Sequence, residues 1–257
     1  MSPFTFLVEQ RTHMKQLISL IVFILFLPLA TATATATECS IDENNLGAEY
    51  QIKYLNENGK PIQNNTFTIW RTAQTVLHED AAKEITTLWY LSANKQLKKT
   101  RFFDHYQRGI EYQQSKKISD AQWQLKRSLI SKQALAKMVL IKTTGSGCEQ
   151  VEHYQKTTST ENIEITWLPQ QKLIKNMKIK NKNTDILWSL VQVYNDEQVL
   201  VKAMDKVANY QTTDFADIGD NEADPFLAKM INLGFVEHGS SGFYDSQGNS
   251  IENKHHH

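Results

Sequence analysis

From Ala48 onward, apolar residues fall mostly at every second position, in short runs separated by turn-forming stretches. In Ala48–Leu55 (AEYQIKYL), Tyr50, Ile52 and Tyr54 share one face of a period-two pattern, which predicts a half-buried strand. Asn56-Glu57-Asn58-Gly59 supplies residues that tolerate the positive φ of a tight turn. Further strands are predicted at Thr66–Arg71, Glu84–Leu91, Leu97–Tyr106 and Gly109–Gln113. The gaps between them are of turn length, so the pattern describes an antiparallel meander. Parallel βαβ units would need helix-sized crossovers.

The period then changes. Ser119-Asp120-Ala121-Gln122 fits a capping box, and Trp123, Ile130 and Ala134 share a face, predicting one helix or two short ones from Asp120 to about Met138. Strands resume at Cys148–Thr157, Asn162–Leu168 and Lys172–Lys180; Ile186–Tyr194 reads as a final strand or the start of a helix, and Asp196–Tyr210 as helical. Asp224-Pro225 marks a helix start, with the carboxylate at the N-cap and proline at the first helical position. Phe226, Leu227, Met230 and Ile231 form its apolar stripe, and Gly234 is placed to end it. The fold class is therefore α+β: a curved, mainly antiparallel β-sheet, a half-barrel-like meander, with helices on one face and a short C-terminal helix.

The N-terminal stretch sets the compartment. Lys15 precedes an apolar run from Leu17 to Leu29, and small residues follow to Ala36, the three-part plan of a secretory signal. The apolar run falls short of the ~20 residues a spanning helix needs. The expected organisation is an extension at 1–13 that is not native, a signal peptide at 14–36, a flexible arm at 37–47, a β-rich main domain at 48–210, and a C-terminal acidic turn, short helix and tail at 211–257. In element order and leader the chain resembles the half-barrel of periplasmic lipoprotein carriers, where a bent sheet and its helices enclose an apolar cavity. The resemblance implies fold and cargo type and transfers no residue role.

Charge excludes some partners. Processing at Ala36 would remove Arg11, Lys15 and Glu9 from 28 basic and 28 acidic residues, leaving 26 and 27, a net charge of −1. Such a balance carries no footprint for nucleic acid or anionic membrane, and no stable membrane span is expected once the signal is gone. Two cysteines remain, Cys39 and Cys148, and in an oxidising compartment the pair is expected to bridge.

Candidate chemistry is sparse. The acidic stretch from Asp214 through Asp217, Asp220 and Glu222 to Asp224 has oxygen ligands of the kind a hard cation takes, but not the spacing of a calcium loop, and reads more simply as a solvated, helix-capping turn. Around KKTRFFDHYQRGIEY, the group Arg101, Asp104, His105, Arg108 and Glu111 includes a histidine and carboxylates; strand alternation throws Asp104 and His105 to opposite faces, so they form no local dyad. His238, Ser240 or Ser241, and Asp245 hold the residue types of a hydrolase triad without the G-x-S-x-G spacing. The terminal His255, His256 and His257 read as a mobile end, and there is no P-loop, HExxH, CxxC or dinucleotide fingerprint. No metal or cofactor is expected.

Three functions fit these observations. The first is an exported periplasmic, non-catalytic binding or carrier protein for an apolar or amphipathic ligand such as a lipid or lipoprotein segment, with Trp70, Trp89, Phe103, Tyr112 and Trp167 as cavity lining or core. The second is an exported hydrolase or metal-dependent enzyme using His105, His153 or His238 with acidic partners, which requires at least two of them to converge. The third is an envelope assembly or scaffold factor that docks through Asp214–Tyr244.

Overall fold

A computed structural model describes residues 41–182, 184–221 and 223–233. The expected leader, Cys39, Gly234 and the Gly-Ser-rich tail lie outside the described residues. Those described belong to one unit, from Glu38 onward.

The body is a twelve-stranded sheet assembled from two meanders. The first comprises β1 (Leu46–Leu55), β2 (Pro61–Arg71), β3 (Thr75–Asp80), β4 (Ile85–Leu91), β5 (Leu97–Phe103) and β6 (Arg108–Tyr112). The second comprises β7 (Val139–Thr144), β8 (Val151–Thr157), β9 (Glu161–Leu168), β10 (Leu173–Asn181) and β11 (Asp185–Tyr194). Antiparallel pairing of β1 with β11 fuses them. β12 (Gln211–Asp214) adds to the outer side of β6 in parallel. The strand order is thus β12-β6-β5-β4-β3-β2-β1-β11-β10-β9-β8-β7, curved and not closed.

Local chemistry explains where the chain turns. Asn56 Oδ1 accepts from the amides of Asn58 and Lys60, each at 3.0 Å, and Gly59 takes φ +72°, making the predicted β1–β2 turn. The helical crossover from β6 to β7 is two helices, α1 (Asp120–Ser128) and α2 (Lys132–Ala136), and the capping box at Ser119 and Gln122 is formed on both sides. Leu129, at φ +62°, separates them, an unusual conformation for a leucine, whose side chain is buried. α3 (Glu197–Asp205) begins at an Asp196 cap, and α4 (Pro225–Asn232) at Asp224, as the Asp-Pro pair predicts.

The helices lie on both faces, which corrects the expectation of a single covered face. Residues of one parity, including Ile69, Val76, Trp89, Ile165, Trp167 and Trp188, form a core with Leu129 and Leu135 beneath α1 and α2. On that same face Phe103 and Ile110 pack with Ile218 and with Phe226, Leu227 and Met230 of α4. The opposite parity, Trp70, Leu77 and Phe102, packs against Leu200 and Val207 of α3 and the segment after it. Period-two alternation reveals that both sides are apolar over β2–β5, yet it does not say which helix crosses which side.

Three strands exceed the sequence pattern. β3 ends in His78-Glu79-Asp80, β12 is the polar Gln-Thr-Thr-Asp, and β7 is an edge strand exposed along its whole length. Conversely, β5 stops at Phe103, where the predicted strand continued to Tyr106; Asp104–Tyr106 is a 3-10 turn. The expected flexible arm is pinned at its described end: Ile41 packs on the core and Glu43 pairs with Lys172 at 2.5 Å.

Candidate functional site

The α1–α2 face carries the features suited to holding a ligand. Register places apolar side chains in continuous cross-strand rows. Ile52, Trp188, Met177, Ile165 and Tyr154 form one row across β1, β11, β10, β9 and β8. The neighbouring row is Tyr54, Ile186, Ile179 and Ile163, ending in Lys156. The first row holds the buried Trp188 and Ile165, whereas every member of the second is only partly buried. This open row leaves apolar surface on the sheet beside a packed aromatic layer.

That layer continues towards the other meander. Rings of Trp188 and Phe67 lie 5.6 Å apart, Phe67 and His78 5.4 Å, and His78 and Trp89 6.4 Å, all edge-on. The His78 Nε2–H donates to the Lys126 carbonyl at 2.7 Å, so β3 is tied to the end of α1. Enclosure among the rings disfavours the imidazolium and lowers the His78 pKa to about 4. Sequence reasoning missed His78 because β3 was not predicted.

Arg71 is the most deeply buried charged side chain among the described residues. It is 1% exposed and donates to the Arg127 carbonyl at 2.8 Å, the Lys172 carbonyl at 3.2 Å and the Gln171 carbonyl. Reciprocally, Arg127 reaches the Thr72 carbonyl and Asn44 Oδ1, the latter at 3.2 Å. β2, the C-terminus of α1 and the β9–β10 turn are thereby clamped together. Burial, with the charge of Arg127, lowers the Arg71 pKa to about 10.

The five aromatic residues singled out from sequence occupy three packing clusters. Trp89 and Trp167 lie in the layer beneath α1 and α2. Phe103 sits under α4, 5.4 Å from Phe226, and Tyr112 stacks on Phe215 at 5.4 Å. Trp70 is on the α3 face; its Nε1–H donates to Glu79 Oε2 at 2.7 Å and its ring covers Gly47, where a Cβ would lie 2.3 Å from the ring. Tyr54, Ile163, Ile179 and Ile186 were legible as alternating strand residues, but nothing in the sequence marked them as one row.

The α3 face has two shallow grooves. One, of about 300 Å³, is bounded by Leu88, Tyr90, Phe102, Val207 and Tyr210. The other, of about 390 Å³, is mixed in character and includes Lys142, His153, Glu164 and Thr166 with Ile141 and Leu187.

Among the described residues the acid-base candidates His105 and His153 do not converge. His105 is exposed after β5 and packs edge-on to Tyr106 at 5.0 Å. His153 is on β8, 3.4 Å from Thr166 Oγ1. β5 and β8 are eight positions apart in the sheet, roughly 38 Å at about 4.8 Å per strand. Because β5 ends at Phe103, the alternation argument does not extend to Asp104 and His105; Asp104 accepts from Thr86 Oγ1 at 2.9 Å and lies 3.8 Å from Lys206 Nζ. Arg108 pairs with Asp224 at 2.9 Å, and Glu111 with Lys98. Of the acidic stretch, Asp214 accepts from the Ala216 amide and Asp224 caps α4. Among the described residues no group of three or more His, Cys, Asp or Glu could hold a metal. His238, Ser240, Ser241, Asp245 and the terminal histidines lie outside the described residues.

No family model and no curated protein matches the chain. Among solved structures it is similar to PNGF-II, at 11% identity and TM-score 0.35, over 65% of this chain and 34% of that one. It is also similar to the Pseudomonas aeruginosa MucA/MucB complex, at 13% identity and TM-score 0.31, over 62% and 56% of the two chains. A putative outer membrane lipoprotein-sorting protein domain from Vibrio parahaemolyticus matches at 8% identity and TM-score 0.28, over 64% and 92%. The chain spans about a third of the length of PNGF-II. Among the described residues no helix is long and apolar enough to cross a membrane.

Proposed function

We propose that the protein is an exported, non-catalytic binding or carrier protein that holds an apolar or amphipathic ligand, such as a lipid or lipoprotein segment, on its α1–α2 face. The observation that carries this reading is the partly exposed row Tyr54, Ile186, Ile179 and Ile163, continuous with the aromatic layer. A cross-strand row of this kind offers an apolar chain a surface already ordered by the sheet, so little conformational entropy is lost in forming it. In this reading Trp167 and Trp89 floor the ligand surface, Tyr112 and Phe103 anchor the α4 segment on the same face, and Trp70 anchors α3 on the opposite one.

The neutral fluorophore N-phenyl-1-naphthylamine tests the proposal. It is expected to bind saturably, and Ile179→Glu is expected to weaken it by about tenfold or more, because a carboxylate would have to be desolvated against the ligand. Lys178→Glu, on the opposite face of the same strand, is expected to leave binding unchanged. Equal binding by Ile179→Glu and the parent protein would exclude this row.

Export is supported by the three-part pattern of Met14–Ala36. The companion proposal is a Cys39–Cys148 bridge. Cys148 is not a free thiol, while Cys39 lies outside the described residues. Thiol titration of unreduced, denatured protein is expected to find none, and two titratable thiols would refute the bridge.

A further inference from the structure

On the α3 face, the helix packs over Trp70, Leu77 and Phe102 of β2, β3 and β5. Beyond it, from β7 to β11, the same face holds the groove of about 390 Å³. Register builds this groove from two cross-strand rows. Lys142, His153, Thr166, Asn176 and Ser189 run across β7, β8, β9, β10 and β11. Gln155, Glu164, Lys178 and Leu187 run beside them from β8 to β11, and Lys53 of β1 extends that row. From β7 to β11 at about 4.8 Å per strand, the groove is roughly 19 Å long.

Some of these side chains are engaged. His153 Nδ1 lies 3.4 Å from Thr166 Oγ1, and Gln155 donates to Asn162 Oδ1 at 3.3 Å, whose own amide donates to Glu164 Oε1 at 3.0 Å. Lys180 and Asp185, at the end of β10 and the start of β11, pair at 3.6 Å. Among the described residues Lys53, Lys142, Lys178, Asn176 and Ser189 have no side-chain hydrogen bond or ion pair. Three unpaired ammoniums therefore face one carboxylate, that of Glu164.

The ligand's chemistry follows from what the groove offers and lacks. Strands β8 to β11 each pair on both sides, so a peptide main chain would find no ladder to join and its amides would stay unpaired. Hydroxyl, amide and carboxylate side chains instead recur at one-strand intervals, where the hydroxyls along a saccharide can each find a partner. Neither row holds a phenyl or indole ring for an uncharged sugar to stack on, so binding needs charge, and the excess charge here is positive. We propose that the groove binds an acidic saccharide, with its carboxylates at Lys142 and Lys178 and its hydroxyls at Thr166, Asn176, Ser189 and Glu164. This site is independent of the apolar row, which lies on the other side of the sheet.

Calorimetric titration of the full chain tests it with trigalacturonic acid, the neutral maltotriose and the acidic peptide triglutamate. Trigalacturonic acid is expected to bind at least about tenfold more tightly than maltotriose. Raising the ionic strength from about 0.05 M to about 0.5 M is expected to weaken that binding severalfold. Lys142→Gln and Lys178→Gln are each expected to weaken it about fivefold, with urea midpoints at the parent value because neither side chain is in the core. Ile179→Glu is expected to bind trigalacturonic acid as the parent does. Equal binding of the two saccharides, binding of neither, or trigalacturonic acid binding untouched by both lysine substitutions would overturn the proposal. Triglutamate binding as tightly as trigalacturonic acid would overturn it in favour of an acidic peptide. Lysine-dependent saccharide binding without naphthylamine binding in the parent would overturn the carrier reading alone.

Discussion

Replacing Arg71 by methionine is expected to lower folding stability by on the order of 3–5 kcal/mol, seen as a shift of the urea midpoint without a change in slope. Methionine keeps most of the apolar stem, so the loss isolates the guanidinium. Its removal leaves the carbonyls of Arg127, Gln171 and Lys172 facing a thioether, and each buried carbonyl without a donor costs about 1–3 kcal/mol. Arg71→Lys is not expected to restore the loss, because one ammonium cannot reach acceptors on both the end of α1 and the β9–β10 turn. Arg127→Met is expected to cost less, since its partners Thr72 and Asn44 lie nearer the surface. A change below about 1 kcal/mol for Arg71→Met would show that the two meanders are held by their apolar layers alone.

Stability is expected to fall as the pH drops from about 6.5 towards 4, with His78 responsible for about 2–3 kcal/mol of the loss. In the unfolded chain the imidazole takes up a proton near its ordinary value of 6.5, whereas in the folded chain it resists protonation until about pH 4. Between these values the unfolded state binds more protons, so its share rises as pH falls; above about pH 7 this group makes no pH-dependent contribution. His78→Gln retains a donor for the Lys126 carbonyl and removes the titration. The difference between the two urea midpoints is therefore expected to change between pH 7.5 and 4.5. Parallel curves would contradict a neutral, enclosed His78.

Those elements that depend on neighbours in sequence were legible. The turn at Asn56–Gly59, the capping box at Ser119 and the Asp224-Pro225 start each place a donor or acceptor within a few residues of its partner. Elements that depend on distant partners were not. β12 is four polar residues made a strand only by parallel pairing with β6, about a hundred residues earlier. β7 shows no alternation because it is exposed throughout, and β3 ends in charged residues that resemble a loop. Ile186–Tyr194 satisfied both helical and strand periods until β1 and β10 enclosed it.

The ligand face shows the same division. Sequence marked Trp89, Tyr112 and Trp167 as aromatic strand residues, and all three lie on the α1–α2 face. It also marked Trp70, which the opposite parity assigns to the packing of α3. The row from Tyr54 to Ile163 is set by the pairing of β1 with β11, strands more than a hundred residues apart, and Lys126 meets Trp89 only because α1 crosses that face. Neither juxtaposition has a local signal.

Native mass spectrometry of the protein purified from its own host tests the central claim most directly. The account predicts a bound mass that dissociates with organic solvent, is apolar or amphipathic, and is absent from Ile179→Glu prepared in the same way. A protein that carries no such mass, and neither gains one nor binds the neutral naphthylamine in solution, would contradict it.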